Sequence, residues 1–304
     1  MKNLERKVIL VTGAGRGIGR EIALLMAAEG AFVVVNDIGV AANGTGADDA
    51  PAHEVVREIE SRGGRGLVDT NSVANWEGAQ SMVQAAMEKF GRLDCVVNNA
   101  GILRDTIFHK LSPEDFDAVL KVHLYGAFNV SRAAAIPMKL QGSGSMIHMT
   151  SASGLIGNLG QANYSAAKLG IAALSRSIAI DMQRFGVRSN AVSPAAWSRM
   201  TNNLPTDTPA MAALAAQVQK GLPAEKVAPL IAFLASDASA EITGQILSVR
   251  GNEVFLYNQP RPIRSIHRSD GWDVDSLSRQ LIPAFKKSFT PLETIGDVFS
   301  WEPI

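Results

Sequence analysis

The chain contains little of what disulfide, membrane or nucleic-acid chemistry would need. Its single cysteine, Cys95, excludes a disulfide within the chain and fits a reducing compartment. No run reaches the ~18 apolar residues of a membrane-spanning helix, and the N-terminus lacks a signal-peptide pattern. The 29 basic and 29 acidic side chains cancel, so nothing suggests binding to nucleic acid or to an anionic membrane. We therefore expect a cytoplasmic protein that acts on a small molecule.

Metal chemistry is also poorly supported. The five histidines show no metal-ligand spacing, and one cysteine does not suffice for a structural zinc site. Hydrophobic residues make up 46% of the chain and charged residues 19%, so a full-sized core can form. We expect a folded protein with no metal site.

Strand and helix signals alternate as far as about residue 250. Short apolar runs rich in β-branched residues predict seven strands, and helical patterns fall between them. This alternation favours an α/β fold, in which helices cover both faces of a parallel sheet. The predicted strands lie near 7–12, 31–36, 65–69, 93–97, 144–150, 187–192 and 245–249, and the predicted helices near 17–29, 50–62, 75–90, 113–136, 161–185 and 223–236.

A glycine-rich turn follows the first predicted strand. The segment Gly13-Ala14-Gly15-Arg16-Gly17-Ile18-Gly19 is followed by an alanine-rich helix. Glycine permits a tight turn and a close approach of the backbone to a pyrophosphate, and the helix N-terminus offers unpaired N–H groups. Strand, turn and helix in this order predict a dinucleotide site, although the spacing is G-x-x-x-G-x-G rather than G-x-G-x-x-G.

Two charged residues bear on which dinucleotide binds. Asp37 closes the second strand, where a carboxylate can bind both hydroxyls of the adenine ribose and repel a 2′-phosphate. Arg16 argues the other way, because a cation in this turn could meet a 2′-phosphate, although it could equally be a solvated loop charge. Asp37 stands where the ribose is expected, so the sequence favours NAD over NADP.

Tyr164 and Lys168 are four residues apart and share one face of a helix. A neighbouring ammonium favours the phenolate, and a pKa lowered by ~2–3 units would make Tyr164 a usable base. An exposed ion pair supplies less than that, so burial beside a cationic cofactor must supply the rest. Ser151 and Asn98 follow predicted strands, and we expect them at the same edge of the sheet as the glycine turn.

Together these residues resemble the short-chain dehydrogenase/reductase family. The matching motifs are the turn from Thr12 to Gly19, Asn98-Asn99-Ala100-Gly101, Ser151, and Tyr164 with Lys168. The resemblance covers residues 7–250 and implies a doubly wound Rossmann fold with a seven-stranded parallel sheet. Within the family, the chain is similar to the (3R)-hydroxyacyl-CoA dehydrogenase units of multifunctional enzymes type 2, which are also called 17β-hydroxysteroid dehydrogenase type 4.

The resemblance implies a role for each matching residue. Tyr164 would take the alcohol proton or return it, Lys168 would lower the pKa of Tyr164, and Ser151 would bind the substrate oxygen. The residues implied in binding NAD are Gly13, Arg16, Gly17, Ile18, Gly19, Asp37, Asn71, Ser72, Asn98, Ala100, Gly101, Tyr164, Lys168, Pro194 and Ala195.

His123 departs from the family pattern, which usually has an asparagine at this place. The similar multifunctional enzymes also have histidine here. A neutral imidazole could hold the water that links Lys168 to solvent, and its protonation would then add a pH dependence near ~6.5. A buried structural histidine explains the residue equally well. His123 is therefore a catalytic candidate with two open interpretations.

The substrate is less constrained than the chemistry. The resemblance implies interconversion of a secondary alcohol and a ketone, on a 3-hydroxyacyl-CoA or a hydroxysteroid-like compound. The alternatives are a free bulky alcohol such as a terpenoid, without CoA, and a dinucleotide-binding scaffold without turnover. A loop from Met200 to Met211 could lie over the substrate. A basic cluster could meet CoA phosphates or be merely solvated; its members are Arg261, Arg264, His267 and Arg268.

Two expectations concern organisation. Residues 1–250 should form one dinucleotide-binding and catalytic domain. Residues 251–304 form a C-terminal extension whose aromatic side chains predict packing on this domain or on a neighbouring subunit. Relatives assemble through the two long helices, here near 113–136 and 161–185, so the resemblance implies a homodimer or homotetramer.

Overall fold

One mostly parallel sheet organises the protein. In the computed structural model, which describes residues 2–46, 48–196 and 220–303, eight strands pair in the order β3-β2-β1-β4-β5-β6-β7-β8. β1 to β7 are parallel, as predicted, and β8 is antiparallel to β7. The strands are β1 Val8–Thr12, β2 Phe32–Asn36, β3 Arg65–Asp69, β4 Cys95–Asn98, β5 Gly144–Met149, β6 Val187–Ala195, β7 Ile246–Arg250 and β8 Glu253–Leu256.

Helices cover both faces of the sheet. The order of the strands reverses between β1 and β4, which opens a crevice at their carboxyl ends. None of the helices in the described part of the chain has the length and apolar character needed to cross a bilayer. The helices are α1 Gly17–Ala28, α2 Ala50–Ser61, α3 Trp76–Phe90, α4 Pro113–Leu120, α5 Gly126–Gln141, α6 Ala152–Leu155, α7 Ala162–Met182, α8 Ala228–Ala235, α9 Val274–Phe285 and α10 Ile295–Val298.

The strand pattern explains why both faces are covered. In β1, Ile9 and Val11 belong to a core cluster with α1, α2 and α8, while Val8 and Leu10 belong to a cluster with α3 and α5. All four side chains are fully buried. Because successive side chains of a strand point to opposite faces, a continuous apolar run requires a core on each side.

The helix predicted near 113–136 is present, and it contains a local change of pitch. It consists of α4, a π-helical turn from Lys121 to Tyr125, and α5. A π-turn inserts an extra residue into the helix and rotates the side chains that follow. Sequence periodicity predicts helix here but does not reveal this local change of pitch, which lies at His123. The short helix α6 was also missed, because four residues are too few for a periodic signal.

The C-terminal extension contributes β8 and contacts the edge of the sheet. Arg250 forms an ion pair with Glu253 at 3.1 Å, and the indole Nε1 of Trp301 donates to the same carboxylate at 2.9 Å. The ring of Phe299 lies 5.4 Å from that of Trp301. Further along the chain, the backbone N–H of Ile295 donates to the carbonyl of Gly157 at 3.2 Å. The extension therefore reaches the loop between α6 and α7.

Candidate active site

A cavity of about 350 Å³ lies beyond the carboxyl ends of β1, β2 and β4. Its wall includes the glycine turn between β1 and α1 and the loops that follow β2 and β4. The cavity is lined by many of the residues predicted to bind the dinucleotide, namely Gly13, Arg16, Gly17, Ile18, Gly19, Asp37, Asn71, Ser72, Ala100 and Gly101. Ile38, Val40 and Ile102 also line it, and sequence reasoning missed them because apolar loop residues carry no motif.

The glycine turn fits a dinucleotide. Gly13 and Gly17 have φ angles of 62° and 54°, which favour glycine. A Cβ on Gly19 would lie 2.2 Å from the carbonyl oxygen of Gly13, so α1 can approach the turn only with glycine there. The N-cap residue of α1, Arg16, makes no side-chain capping bond, which leaves the first N–H groups of the helix free for an anion.

Asp37 is held by backbone N–H groups of the glycine turn and of its own loop. Its Oδ2 accepts from the N–H of Gly15 at 2.8 Å, and its Oδ1 accepts from the N–H of Gly39 at 2.7 Å. Each oxygen retains a lone pair that can accept a ribose hydroxyl. Arg16, in contrast, lies 3.3 Å from the carboxylate of Asp48 and is thus partly neutralised. Asp37 is therefore available to hydroxyl groups in the cavity, whereas the charge of Arg16 is shared with Asp48.

Asn98 does not line the cavity. It is buried at the end of β4, where its Nδ2 donates to Ser131 Oγ at 2.9 Å and lies 3.2 Å from His148 Nδ1. The neighbouring Asn99 does line the cavity, and its Nδ2 donates to the carbonyl of Gly13 at 3.0 Å. Because successive side chains of a strand alternate, Asn98 and Asn99 point to opposite sides at the end of β4. The sequence alone did not show which of the two faces the cavity.

Pro194 and Ala195 end β6 beside β7, at the same edge of the sheet as the cavity but outside its lining. The loop from Met200 to Met211, predicted to lie over the substrate, falls outside the described residues.

Ser151, Tyr164 and Lys168 meet at the carboxyl end of β5. Ser151 is the N-cap of α6, and its Oγ accepts from the N–H of Ser153 at 3.1 Å. Tyr164 and Lys168 lie in the first two turns of α7, with the lysine Nζ 5.4 Å from the centre of the tyrosine ring. The same Nζ donates to the carbonyl of Met149 at 2.5 Å. The ammonium is therefore anchored to the end of β5.

The expected lowering of the tyrosine pKa is absent in the protein alone. Burial raises the pKa of Tyr164 to about 12, although a hydrogen bond with Ser151 opposes the shift. Burial also lowers the pKa of Lys168 to about 7. The prediction that Lys168 and a cationic cofactor together lower the pKa of Tyr164 stays a prediction for the cofactor-bound state. A further positive charge is needed to make the phenol a base.

His123 is buried beside Tyr164 in the π-turn. Its Nε2 lies 3.0 Å from the N–H nitrogen and 2.8 Å from the carbonyl oxygen of Ile102, and its ring meets that of Tyr164 edge-on at 5.2 Å. The buried Nδ1 has no hydrogen-bond partner among the described residues. A Cβ on Gly101 would lie 2.2 Å from the ring, so Gly101 makes room for it. Burial, then the charge of Lys168, lowers the pKa of His123 to about 3, so the expected pH dependence near ~6.5 is wrong.

Two buried histidines predict a loss of stability in mild acid. Burial lowers the pKa of His148 to about 4, and that of His123 is about 3, against an ordinary value of 6.5. As the pH falls below 6.5, the two histidines become protonated in the unfolded chain but stay neutral in the folded protein. The free energy of unfolding therefore decreases. At ~1.4 kcal/mol per pH unit and group, the two histidines should lower the free energy of unfolding by about 4 kcal/mol between pH 7 and pH 5.

Urea unfolding at both pH values measures this difference. His148→Gln should remove about half of it, whereas His267→Gln, at an exposed histidine, should leave it unchanged. An equal pH dependence in all three proteins would contradict the assignment.

Comparison with known proteins places the chain in a family. The family model described as enoyl-(acyl carrier protein) reductase matches residues 13–251. A short-chain type dehydrogenase/reductase of Mycobacterium tuberculosis is 42% identical over 296 residues, which cover 94% of this chain and all of that protein. The chain belongs to the short-chain dehydrogenase/reductase family. It is an oxidoreductase of the EC 1.1.1 class, whose members use NAD or NADP.

Other similar proteins agree with the resemblance seen in the sequence. Peroxisomal multifunctional enzyme type 2 of Mus musculus is 44% identical over 263 residues, which are 86% of this chain but 34% of that longer enzyme. A solved short chain dehydrogenase from Mycobacterium avium has a TM-score of 0.84 and 37% identity, covering 97% of this chain and 99% of that one. A 7α-hydroxysteroid dehydrogenase complexed with NADH and 7-oxo glycochenodeoxycholic acid has a TM-score of 0.72 and 28% identity, covering 82% and 95%.

The basic cluster of the extension does not lie at the catalytic edge. Arg261 lines a second cavity of about 630 Å³ with Arg176 and with Gly244, which precedes β7. This is the amino end of a parallel strand, whereas Ser151 and Tyr164 lie at the carboxyl ends. Arg264 donates instead to Ser288 Oγ at 2.6 Å. Within one chain, Arg261 and the reacting groups are therefore at opposite ends of the sheet.

Proposed function

We propose that the protein is an NAD-dependent dehydrogenase that interconverts a secondary alcohol and a ketone on a 3-hydroxyacyl-CoA or hydroxysteroid-like substrate. The main observation behind this proposal is that Ser151, Tyr164 and Lys168 lie together at the edge of the sheet where the glycine turn also lies. An alcohol or carbonyl oxygen between Ser151 and Tyr164 would have two hydroxyl groups to bind it.

Ser151, Tyr164 and Lys168 have different roles in the proposed reaction. Ser151 donates a hydrogen bond to the substrate oxygen as negative charge develops there. Tyr164 takes the hydroxyl proton during oxidation and returns it during reduction. The nicotinamide, when bound, supplies the hydride acceptor or donor. Lys168 Nζ donates to the Met149 carbonyl and lies 5.4 Å from the centre of the Tyr164 ring, and we propose that it also binds the nicotinamide ribose.

The raised pKa of Tyr164 gives this proposal a physical requirement. A phenol with a pKa of about 12 is a poor base at neutral pH. A cationic ring bound beside the phenol would favour the phenolate and lower that pKa. The tyrosine would then become basic only after the oxidised cofactor is bound, so an enzyme without cofactor would not deprotonate the alcohol.

Cofactor selectivity follows from Asp37. We expect the wild-type protein to bind NAD at least tenfold more tightly than NADP, because Asp37 lines the cavity and would repel a 2′-phosphate. Asp37→Asn should reduce this ratio about tenfold, with equilibrium binding measured by calorimetry for both nucleotides. Asp49→Asn is the matched control, since Asp49 is exposed and outside the cavity lining, and it should leave the ratio unchanged. Tighter binding of NADP by the wild-type protein would contradict the preference.

The substrate class is supported by the relatives and by the site entrance. The printed names of similar proteins include a peroxisomal multifunctional enzyme and a hydroxysteroid dehydrogenase. Near the catalytic groups, the backbone N–H of Thr106 donates to the carbonyl of Gly160 at 2.8 Å, which joins two loops that carry exposed Phe108 and Leu159. Apolar side chains at the mouth suit the apolar body of an acyl chain or a steroid.

A substrate panel distinguishes the alternatives. Acyl-CoA, steroid and simple alcohols, each assayed with NAD and with NADP, should give the highest kcat/KM for a bulky apolar alcohol. A preference for a free terpenoid-like alcohol would support the CoA-free alternative, and absence of turnover in the whole panel would support the scaffold. An acyl-CoA and its pantetheine-truncated form should have equal KM values if the basic cluster of the extension plays no part.

We propose that residues 1–250 form the catalytic domain and that residues 251–304 stabilise its active-site loop. Ile295 is the first residue of α10, and its N–H serves the Gly157 carbonyl between Ser151 and Tyr164. Proline is tolerated at a first helical position, and the extended backbone of Thr294 is compatible with it. Ile295→Pro therefore removes this hydrogen bond without breaking the helix.

We expect Ile295→Pro to accelerate hydrogen exchange in the loop 156–161 about fivefold, as loss of ~1 kcal/mol of local stability requires. Ile295→Ala keeps the N–H and is the matched control. Equal exchange rates in the two variants would show that this contact does not hold the loop.

Assembly is the remaining part of the proposal. Along α5 and α7, large apolar side chains are exposed in the single chain, namely Phe128, Ile136, Leu140, Leu169 and Ile180. Such a surface on two neighbouring helices is typical of a buried interface. We infer a homodimer or homotetramer built through these helices, which light scattering on the purified protein would measure.

A further inference from the structure

We propose that Gln161 and Asp105 are positioning residues that fix the Ser151 hydroxyl through a chain of hydrogen bonds. The inference rests on the proposed function for its kinetic consequences. Asp105 contacts Gln161 directly, and Ser153 links Gln161 to Ser151.

This hydrogen-bond chain runs without a gap from Asp105 to Ser151. Gln161 Nε2 donates to Asp105 Oδ2 at 2.7 Å, and Gln161 Oε1 accepts from Ser153 Oγ at 2.8 Å. Ser153 Oγ lies 3.2 Å from Ser151 Oγ. Ser153 is buried, Gln161 is half-buried, and Asp105 lies at the surface. The chain thus connects a carboxylate in contact with water to the hydroxyl that faces Tyr164.

The direction of every hydrogen bond follows from Asp105. A carboxylate only accepts, so the amide of Gln161 must turn its NH₂ group toward Asp105 and its oxygen toward Ser153. An amide oxygen also only accepts, so Ser153 must donate to it. The Ser153 oxygen then has only lone pairs left for Ser151, which must be the donor in that contact. Asn158 Nδ2, which donates to the same amide oxygen at 2.9 Å, requires the same amide orientation.

This arrangement prepares Ser151 for a substrate oxygen. The backbone N–H of Ser153 holds the Ser151 oxygen at 3.1 Å, and the Ser153 hydroxyl holds its hydrogen through a long contact of 3.2 Å. The side chain is thereby kept in one rotamer, while its hydrogen can pass to a substrate oxygen at the loss of only a weak bond. Ser153 cannot compete for the substrate, because its own hydrogen is committed to Gln161.

Charge adds a second reason to single out Asp105. Among the described residues it has no ion-pair partner, since the neighbouring Arg104 pairs with Asp115. Its negative charge acts on Tyr164 and helps to raise the pKa of that phenol. Gln161 donates a hydrogen bond to this carboxylate from the active-site side, and breaking the contact would leave Asp105 without that donor.

The test removes the polar atoms of Gln161 while keeping its length. Gln161→Met should lower kcat for alcohol oxidation about fivefold to tenfold and leave the dissociation constant of NAD unchanged. Gln84→Met is the matched control, because Gln84 also donates to a carboxylate, Glu88 on the exposed face of α3. In a Ser151→Ala background, Gln161→Met should cause no further loss, since the chain acts only through Ser151.

Two variants of Asp105 separate hydrogen bonding from bulk. Asp105→Asn keeps an acceptor for Gln161 and should lose about twofold in kcat, whereas Asp105→Leu should lose as much as Gln161→Met. An unchanged kcat in Gln161→Met would overturn the proposal. An equal loss from Gln161→Met in the wild-type and Ser151→Ala backgrounds would also overturn it, because a merely structural role predicts that result.

One readout is independent of any activity. In a crystal structure of Gln161→Met at high resolution, the Ser151 side chain should occupy two rotamers, whereas it should occupy one in the wild-type protein. A single unchanged rotamer in Gln161→Met would overturn the proposal. If the wild-type protein oxidised no alcohol, the proposed function would fail, and the rotamer comparison would still decide whether the chain positions Ser151.

Discussion

Replacing Tyr164 by phenylalanine is expected to lower kcat/KM for alcohol oxidation by about 10²–10⁴-fold, the range that general acid–base catalysis contributes. The ring would remain packed against His123, so the fold should be preserved. Only the hydroxyl that exchanges the substrate proton is lost. Steady-state kinetics with the best substrate of the panel measure the effect, and calorimetry should find NAD affinity within about threefold of the wild-type value.

Tyr125→Phe is the matched control for this substitution. Tyr125 is an exposed tyrosine in the same π-turn as His123, with no place in the proposed chemistry. Its variant should keep full activity. A Tyr164→Phe protein that still oxidised alcohols at the wild-type rate would remove the basis of the mechanism, and a biological role that survived the loss of turnover would favour the scaffold alternative.

The second large effect is expected for Gly19→Ala. Alanine is the best helix former, so a change inside α1 would ordinarily stabilise the helix. Here the added Cβ would lie 2.2 Å from the Gly13 carbonyl oxygen and 2.6 Å from Asn99 Nδ2. The helix must move away from the turn, and its N-terminal N–H groups move with it. We expect NAD affinity to fall at least a hundredfold, measured by calorimetry.

Gly296→Ala provides the comparison for Gly19→Ala. Gly296 is also helical, in α10, and the nearest atom to an added Cβ is 3.9 Å away. Its variant should bind NAD like the wild-type protein. If Gly19→Ala bound NAD with unchanged affinity, the glycine turn between β1 and α1 would not be the site that binds the pyrophosphate.

The pKa values connect these predictions. Lys168 is buried with a pKa of about 7, and Tyr164 is buried with a pKa of about 12. Both values reflect the cost of burying a charge, and neither group is ready for catalysis in the protein alone. In the proposed mechanism, an oxidised dinucleotide would bring a positively charged nicotinamide ring and ribose hydroxyl groups to them. Gly19→Ala and Tyr164→Phe should therefore impair the same reaction, the first by weakening NAD binding and the second by removing the hydroxyl that exchanges the proton.

The fold was predictable because its signals are local. Runs such as Val8–Thr12 are continuously apolar and β-branched, and such runs form strands buried on both faces. Alternation with helices then leaves few arrangements other than a parallel sheet. The features that the sequence did not predict depend on tertiary contacts, as in the π-turn at His123. β8 is a further example, since its pairing partner β7 alone makes Glu253–Leu256 a strand.

The candidate site was predictable to a similar extent. Glycine, aspartate and the Tyr164–Lys168 pair carry chemical requirements that survive any detail of packing. The exchange of Asn98 for Asn99 in the cavity wall was not predictable, because one residue of strand register decides which side chain faces the ligand. The position of Lys168 Nζ close to the Tyr164 ring was expected from their spacing, but its hydrogen bond to the Met149 carbonyl was not.

By itself, the sequence determined the class of fold, the family and the types of side chain available for proton transfer, because these depend on periodicity and on residue chemistry. Only the tertiary structure decided the pKa of His123, the hydrogen bond from Lys168 to Met149, and the hydrogen-bond chain from Asp105 through Gln161 to Ser151. Those properties depend on burial and on distances of about 3 Å between residues far apart in the chain. Sequence spacing does not encode such distances, since they arise only when the loops after several strands meet at one edge of the sheet.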